Sequence, residues 1–342
     1  MIELLLISGL ALTAGLFGFF GNDDDDPDTE PVADTPNETG VTQRGGDAAD
    51  LLLGTSGDDT LEGGAGQDTL DGGAGNDVLI CQADDVLICQ ADDDALLGRA
   101  GDDTLSGGLG DDLLKGGIGH DLLDGGAGQD DLRGGDGNDS LYGDLGDDLL
   151  DGGAGDDLLL GNEGSDLLQG GSGDDAILAG DGDDILEGQL GSDIMDGGAG
   201  SDVLIGYTSA SGDSVIQQDG RNFSTTDVVD PDTLVGGEGE DLLILGRGDV
   251  AMGGGGEDVF ALGTWMAGEN ANGLILDFEP TGEEIIILVP QNYTGAAAVE
   301  VVAEGRDALV RMDGQTYARV SGAATTLTPG MISVTFTNTP AT

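Results

Sequence analysis

The sequence predicts an all-β fold, a parallel β-roll wound as a solenoid, with a small β-rich C-terminal cap, an N-terminal hydrophobic helix and a disordered linker. Three observations lead there. A nine-residue unit, G-G-x-G-x-D-x-L-x, recurs from Gly45 to Ile205 in eighteen consecutive copies, seventeen of nine residues and one of eight. Glycines crowd its first four positions, where positive φ and close backbone approach make a tight turn with exposed carbonyls. Its last three positions hold one apolar residue between variable ones, the pattern of a three-residue strand with a single side chain turned inward. Two units then make one coil of eighteen residues, and coils stacked about 4.8 Å apart along the roll give two parallel sheets.

Each segment follows from its own composition. Residues 1–21 hold an apolar run from Leu4 to Gly21, and the first basic side chain is Arg44; this length fits an export signal or a membrane anchor. Residues 22–44 are acidic and contain Pro27, Pro31 and Pro36, so they form an extended, disordered linker. Residues 45–205 are the roll, whose inward positions run Leu52, Leu61, Leu70, Leu79, Leu87, Leu96, Leu105 and onward to Leu168, then Ile177, Leu186, Met195 and Leu204. Residues 206–235 interrupt it as an insertion loop. Residues 236–261 hold degenerate copies, GGEGEDLLI and GGGGEDVFA. In residues 262–342 glycine falls and β-formers rise, and Asp313-Gly314 between ALVRM and QTYARV signals a type I′ hairpin. This tail is expected to cover the last coil's open sheet edge and is a candidate secretion region.

Charge decides the partner. There are 69 acidic and 9 basic residues, a formal charge of -60, which excludes nucleic acid by sign. The acids are patterned, because the sixth position is aspartate in all eighteen units. One edge stacks Asp50, Asp68, Asp85, Asp103, Asp121, Asp139, Asp157, Asp175 and Asp193; the other stacks Asp59, Asp77, Asp94, Asp112, Asp130, Asp148, Asp166, Asp184 and Asp202. Rungs about 5 Å apart repel by on the order of 1 kcal/mol each in water, and more at a partly buried turn. A hard dication that takes six to eight oxygens in flexible geometry, calcium, removes that repulsion. Magnesium demands a smaller octahedral shell, and zinc prefers His and Cys, of which the array has one and two.

The unit resembles the RTX, or hemolysin-type calcium-binding, nonapeptide, and about half the chain carries it in some twenty copies. The resemblance implies a parallel β-roll with calcium between successive turns on each edge. Each ion would be held by the sixth-position aspartates of both turns and by early-turn carbonyls, which makes ligands of the eighteen aspartates above and of Asp241 and Asp258 in the degenerate copies. Two ladders of nine leave at most sixteen gaps in the main block. The tail, GGGGEDVFAL followed by LILDFEPTGEEIIIL, is similar to the closing segment of RTX exoproteins such as the serralysin C-terminal domain. Family members are commonly exported unfolded through a type I channel and fold in external calcium, since binding free energy becomes folding free energy. The apolar N-terminus departs from that scheme and implies another export route or a membrane tether. The expected function is a secreted or surface calcium-binding protein with a non-enzymatic structural or adhesion role; the alternative is an accessory, toxin-related or exoenzyme-related RTX protein exported by the type I route. Either places it outside the cell or on its surface.

Other motifs carry less. The chain holds no H-E-x-x-H, no G-x-S-x-G at a strand-to-helix turn and no non-repeat segment sized for a catalytic domain. His120 occupies the variable fifth position and reads as a solvated turn residue. Arg247-Gly248-Asp249 spells an adhesive tripeptide, but in a degenerate copy where Gly and Asp are expected anyway. The insertion holds Tyr207, Arg221 and Phe223 and is either a tolerated loop or a partner-binding one. Finally, VLICQADD is written twice, from Val78 to Asp93, and places both cysteines, Cys81 and Cys89, at first turn positions. Consecutive turns lie on opposite edges, too far apart for a disulfide, and calcium sites touching these non-glycine turns should be the weakest of the main block.

Overall fold

A computed structural model of the chain describes residues 40–82, 85–206, 215–218, 221–224, 231–263, 273–290, 295–323 and 325–337. The hydrophobic segment 1–21 and most of the acidic linker lie outside the described residues; Thr42–Arg44, read from sequence as the linker's end, instead pairs in parallel with Thr60–Glu62 as a strand of the roll. No helix among the described residues is long and apolar enough to cross a membrane.

Strands alternate between two sheets, one of 14 and one of 15 strands among the described residues, and within the roll the strands pair in parallel with those one coil away. Leu123 pairs with Leu105 on one side and Leu141 on the other, and Leu132 pairs with Leu114 and Leu150. The inward residues form two facing stacks with no exposed surface from Leu61 to Leu204. Leu234, Leu243, Ala251, Phe260, Ile275 and Ile285 extend the same buried row beyond the main block. A single apolar side chain per half-coil therefore suffices as a core, because its neighbours above and below complete its burial.

From Ala95 to Ala199 the strands are six residues long, for example Leu113–Ile118 (LLKGGI), where the sequence predicts three. The turns of successive coils have equal length and matching conformation, so their backbones pair as well. Gly119 N–H donates to Asp136 O at 2.9 Å and Gly128 N–H to Leu145 O at 2.9 Å. From Thr42 to Ile88 this extension is missing: Leu51–Leu53, Thr60–Glu62, Thr69–Asp71, Val78–Ile80 and Val86–Ile88 all keep three residues. The sequence from Cys81 to Asp85 is one residue shorter than the equivalent stretch of the other units.

The roll skips the insertion. Thr233–Glu238 pairs with Ile194–Ala199 as the next coil, and Leu242–Leu245 pairs with Val203–Ile205. Residues 231–235, read from sequence as part of the insertion, thus already lie in the ladder. Within the insertion Val215–Gln218 and Arg221–Ser224 form a two-stranded hairpin; Tyr207 lies outside the described residues. In the tail both sheets continue: Glu284–Pro290 pairs in parallel with Ile332–Thr337, and Gly273–Ile275 with Gln315–Val320. The 15-stranded sheet then closes on an antiparallel meander, Val299–Glu304, Asp307–Met312 and Gln315–Val320. Asp313 and Gly314 take φ of 51° and 81°, the positive values that the hairpin turn requires.

Candidate metal centre

The turn is built by glycines with separate duties. The second and fourth positions take positive φ, as at Gly126 (104°) and Gly128 (153°). A Cβ on Gly128 would stand 1.8 Å from Gly110 O, so only hydrogen lets the coils stack. The first-position glycine is needed for another reason: its own rung's Oδ2 lies 2.2–2.5 Å from where a Cβ would be. Non-glycine residues do occupy second positions at positive φ, namely Arg99, Asp144, Asn162 and Gln189, and Asp92 occupies a fourth position at 74°. An L-residue there costs roughly 1–2 kcal/mol, partly offset by the entropy of the glycine it replaces. Asp92→Gly is therefore expected to stabilise the calcium-loaded roll by about 0.5–1 kcal/mol, read as a thermal midpoint about 2 °C higher; a lower midpoint would contradict the strain assigned to this turn.

Each sixth-position aspartate is clamped by the next coil. Asp121 N–H donates to Asp139 Oδ1 at 2.8 Å, and Asp121 O accepts from Ser140 N–H at 2.9 Å. The same contact, N–H of one rung to Oδ1 of the next, runs unbroken along one edge at 2.6–3.0 Å through Asp50, Asp68, Asp85, Asp103, Asp121, Asp139, Asp157, Asp175, Asp193, Asp232 and Asp249. The other edge runs at 2.6–3.1 Å through Asp59, Asp77, Asp94, Asp112, Asp130, Asp148, Asp166, Asp184, Asp202, Asp241 and Asp258. All twenty aspartates named from the sequence thus fall on the two ladders.

Two rungs escaped the sequence reading, Asp232 and Asp249. Their turns lack the glycine pattern, yet each precedes the strand signal, as in Asp232-Thr233-Leu234 and Asp249-Val250-Ala251. Asp249 is fully buried, and its Oδ2 accepts from Gly246 N–H at 2.5 Å. The acid of the Arg-Gly-Asp tripeptide is therefore turned into the roll. Glu283 follows Asp258 in the stack, since Glu284 N–H donates to Asp258 O at 2.8 Å, and its carboxylate folds back onto Glu279 N–H at 2.6 Å.

Satisfying Oδ1 leaves Oδ2. At Asp68, Asp77, Asp94, Asp112, Asp121, Asp130, Asp139, Asp148, Asp157, Asp166, Asp175, Asp184, Asp202, Asp241 and Asp258 this oxygen is buried without a hydrogen-bond donor. A row of such atoms is costly, because each buried acceptor forfeits its hydration. Burial is the main reason the carboxyls are pushed up to about 6 at Asp77, Asp112, Asp121, Asp148, Asp157, Asp202 and Asp241, and to about 7 at Asp94, Asp130, Asp175 and Asp184. The backbone N–H opposes that shift, and neighbouring carboxylates, often the next rung, add to it. Buried acceptor oxygens with the carboxyls of two turns at each gap are the donor set of a hard dication.

A second, exposed ladder runs beside the first. The fifth-position side chain accepts from the fifth-position N–H one coil later: Asp111 Oδ1 from Gln129 N–H at 2.9 Å, and Asp156 Oδ1 from Asp174 N–H at 3.0 Å. His120 is one of its rungs, with its own N–H on Asp102 Oδ1 at 2.9 Å and its Nδ1 accepting from Asn138 N–H at 2.8 Å. The fifth position is thus constrained rather than merely solvated, which explains its recurrent Asp and Asn.

A family model for the RTX calcium-binding nonapeptide repeat matches residues 44–79, 90–123, 97–132, 124–159, 160–195, 169–204 and 230–250, together half of the chain. Among solved structures, the chain is similar to a subunit of the Azotobacter vinelandii mannuronan C5-epimerase, at 22% identity over 58% of this chain and 79% of that one, with a TM-score of 0.16. It is also similar to the extracellular lipase LipA of Serratia marcescens, at 16% identity over 68% of this chain and 45% of that one, with a TM-score of 0.21. No curated protein matches. With the nonapeptide in register along both edges and the family matched over half its length, the chain belongs to the RTX calcium-binding nonapeptide repeat family.

Proposed function

We propose that this protein folds outside the cell around calcium held between consecutive rungs of both ladders, and that its role there is structural or adhesive rather than enzymatic. The observation that carries this reading is the row of buried Oδ2 atoms without donors. Each ion draws on the aspartates of two successive turns and on turn carbonyls, and Asp232 and Asp249 join the twenty aspartates named from the sequence. Eleven rungs leave ten gaps on each edge, so the ceiling is twenty ions per chain. A chain of formal charge -60 that needs calcium to neutralise its own turns stays open where the free ion is scarce and closes where it is abundant. That difference suits export before folding, with residues 1–21 as signal or tether.

The test is a titration of the full-length chain with calcium and, separately, magnesium at neutral pH, following circular dichroism and the radius of gyration. Calcium is expected to bring a cooperative gain of β signal and a several-fold contraction in volume, and magnesium neither at the same concentration. A chain already compact in chelator, or one responding equally to magnesium, would sink the proposal. Hydrolase or epimerase turnover by the calcium-loaded chain would remove its non-enzymatic part and leave the calcium part standing.

A further inference from the structure

Two turns depart from the ladder in a way that alters their chemistry. In the main block the first turn position is glycine except at Cys81, Cys89 and Ala179. Both thiols are buried, at 0% and 3% exposure. Cys81 Sγ and one carboxylate oxygen each from Asp68 and Asp85 lie within 4.8 Å of one another, and Cys89 Sγ is placed in the same way with Asp77 and Asp94. Cys81 Sγ stands 3.0 Å from the point a Gly63 Cβ would take and Asp68 Oδ2 stands 2.4 Å from that point, so the thiol reaches back into the gap between two rungs. The Oδ2 atoms of Asp68, Asp77 and Asp94 are buried without a donor. Asp85 Oδ1 takes Asp68 N–H at 2.6 Å while its Oδ2 takes Gln82 N–H at 3.1 Å, and Asp94 Oδ1 takes Asp77 N–H at 2.6 Å. These bonds hold each gap at a set width.

We propose that Cys81 with Asp68 and Asp85 on one edge, and Cys89 with Asp77 and Asp94 on the other, are two thiophilic cation sites that take a borderline-soft divalent metal of the zinc class in place of calcium. A thiolate is a soft donor suited to such metals, whereas calcium takes oxygen. One sulfur and two carboxylate oxygens form a set that zinc accepts at about 2.3 Å and 2.0–2.2 Å, which places the donors roughly 3.5 Å apart, inside the 4.8 Å envelope. The array as a whole is wrong for zinc, and these two gaps are where its only thiols lie. Binding forms a metal–sulfur bond and breaks the S–H bond, whose proton leaves to water; nothing is oxidised or reduced, and the site's charge goes from -2 to -1. Burial, and the carboxylates beside them, push both thiols well above their ordinary range. Reactive thiols instead sit exposed in electropositive surroundings, so a nucleophilic or redox role fits neither. Repeating the phrase VLICQADD copied one such site onto the opposite edge.

Cadmium is the probe, because its bond to thiolate gives an ultraviolet charge-transfer band. The calcium-loaded full-length chain is titrated with cadmium, then with zinc in competition. Two equivalents are expected to bind, to persist in excess calcium and to be displaced by zinc. Cys81→Ser should halve the band and the double serine variant abolish it, both keeping the calcium response in circular dichroism. The decisive variant is Asp68→Asn with Asp77→Asn, which retains both thiols and should weaken cadmium binding by about tenfold or more. Where that pair disturbs folding, Asp77→Asn in the Cys81→Ser background makes the same comparison at one site. Absence of the band in the folded chain, or cadmium affinity unchanged by the asparagines, overturns the proposal; calcium-driven folding is read separately in each variant and stands or falls on its own.

Discussion

In chelator, the full-length chain is expected to contract and gain β signal when the pH is lowered from about 8 to about 5, and to expand again when it is raised. The rungs from Asp77 to Asp241 whose carboxyls are pushed up to about 6 or 7 are responsible. A carboxyl raised from 3.8 on folding binds more protons in the folded state than in the unfolded one across the interval between the two values. Stability therefore falls as pH rises from about 4 to about 7, and the full penalty is present above about 7. One unit corresponds to about 1.4 kcal/mol. Even if only about 1 kcal/mol per rung survives solvent relaxation, ten rungs match the whole stability of an ordinary domain, roughly 5–15 kcal/mol. A proton on Oδ2 thus does part of what a cation does. With calcium bound the sign reverses: the folded carboxyls are held below the unfolded value, so that stabilisation is present above about 4 and lost as pH falls through the depressed values. The two titrations, read by circular dichroism and scattering, should slope in opposite directions. Equal slopes, or a chelated chain more compact at pH 8 than at pH 5, would show that Oδ2 burial does not control folding.

The period of nine made most of this legible. A strict repeat fixes register, so Leu123 could be set over Leu105 and Asp121 over Asp139 by counting. Counting fails where the turn changes length. Asp232 and Asp249 were missed because an insertion and a shortened turn hide the glycines, although the strand signal after each is intact. The six-residue strands were missed because glycine at the first two positions reads as turn; only the likeness of adjacent turns, a property of pairs of coils, lets them hydrogen-bond. The same holds for His120, whose role appears only when Asn138 is stacked on it. Cys81 and Cys89 were read correctly as lying on opposite edges, but their approach to the carboxylates depends on the inward aim of the first position. Composition does not reveal that aim, since glycine usually occupies the site.

Gly146→Ala is expected to break the roll locally, and to do so far more severely than an alanine at other glycines. Gly146 holds a fourth position in mid-roll at φ of 133°, and its Cβ would stand 1.5 Å from Gly128 O of the coil before. Both the backbone conformation and the overlap are unfavourable, at roughly 1–3 kcal/mol each for strain and for overpacking, and the atom that must yield is main chain rather than a flexible side chain. Gly143→Ala, at the first position of the same turn, meets Asp148 Oδ2 at 2.4 Å; Ala179 holds the equivalent position while Asp184 Oδ1 still accepts from Asp166 N–H at 2.8 Å, so this variant should disturb at most one rung. Gly305→Ala has positive φ but nothing within 4 Å, and should cost only about 1 kcal/mol. Because each coil touches only its neighbours, damage from Gly146→Ala should stay near residues 128–164. Hydrogen exchange in calcium is expected to show lost protection there, with near-normal protection in residues 40–82 and 231–263, together with fewer bound calcium ions. A midpoint equal to that of Gly305→Ala, or uniform loss of protection along the chain, would mean that coil stacking is not the step at which glycine is required.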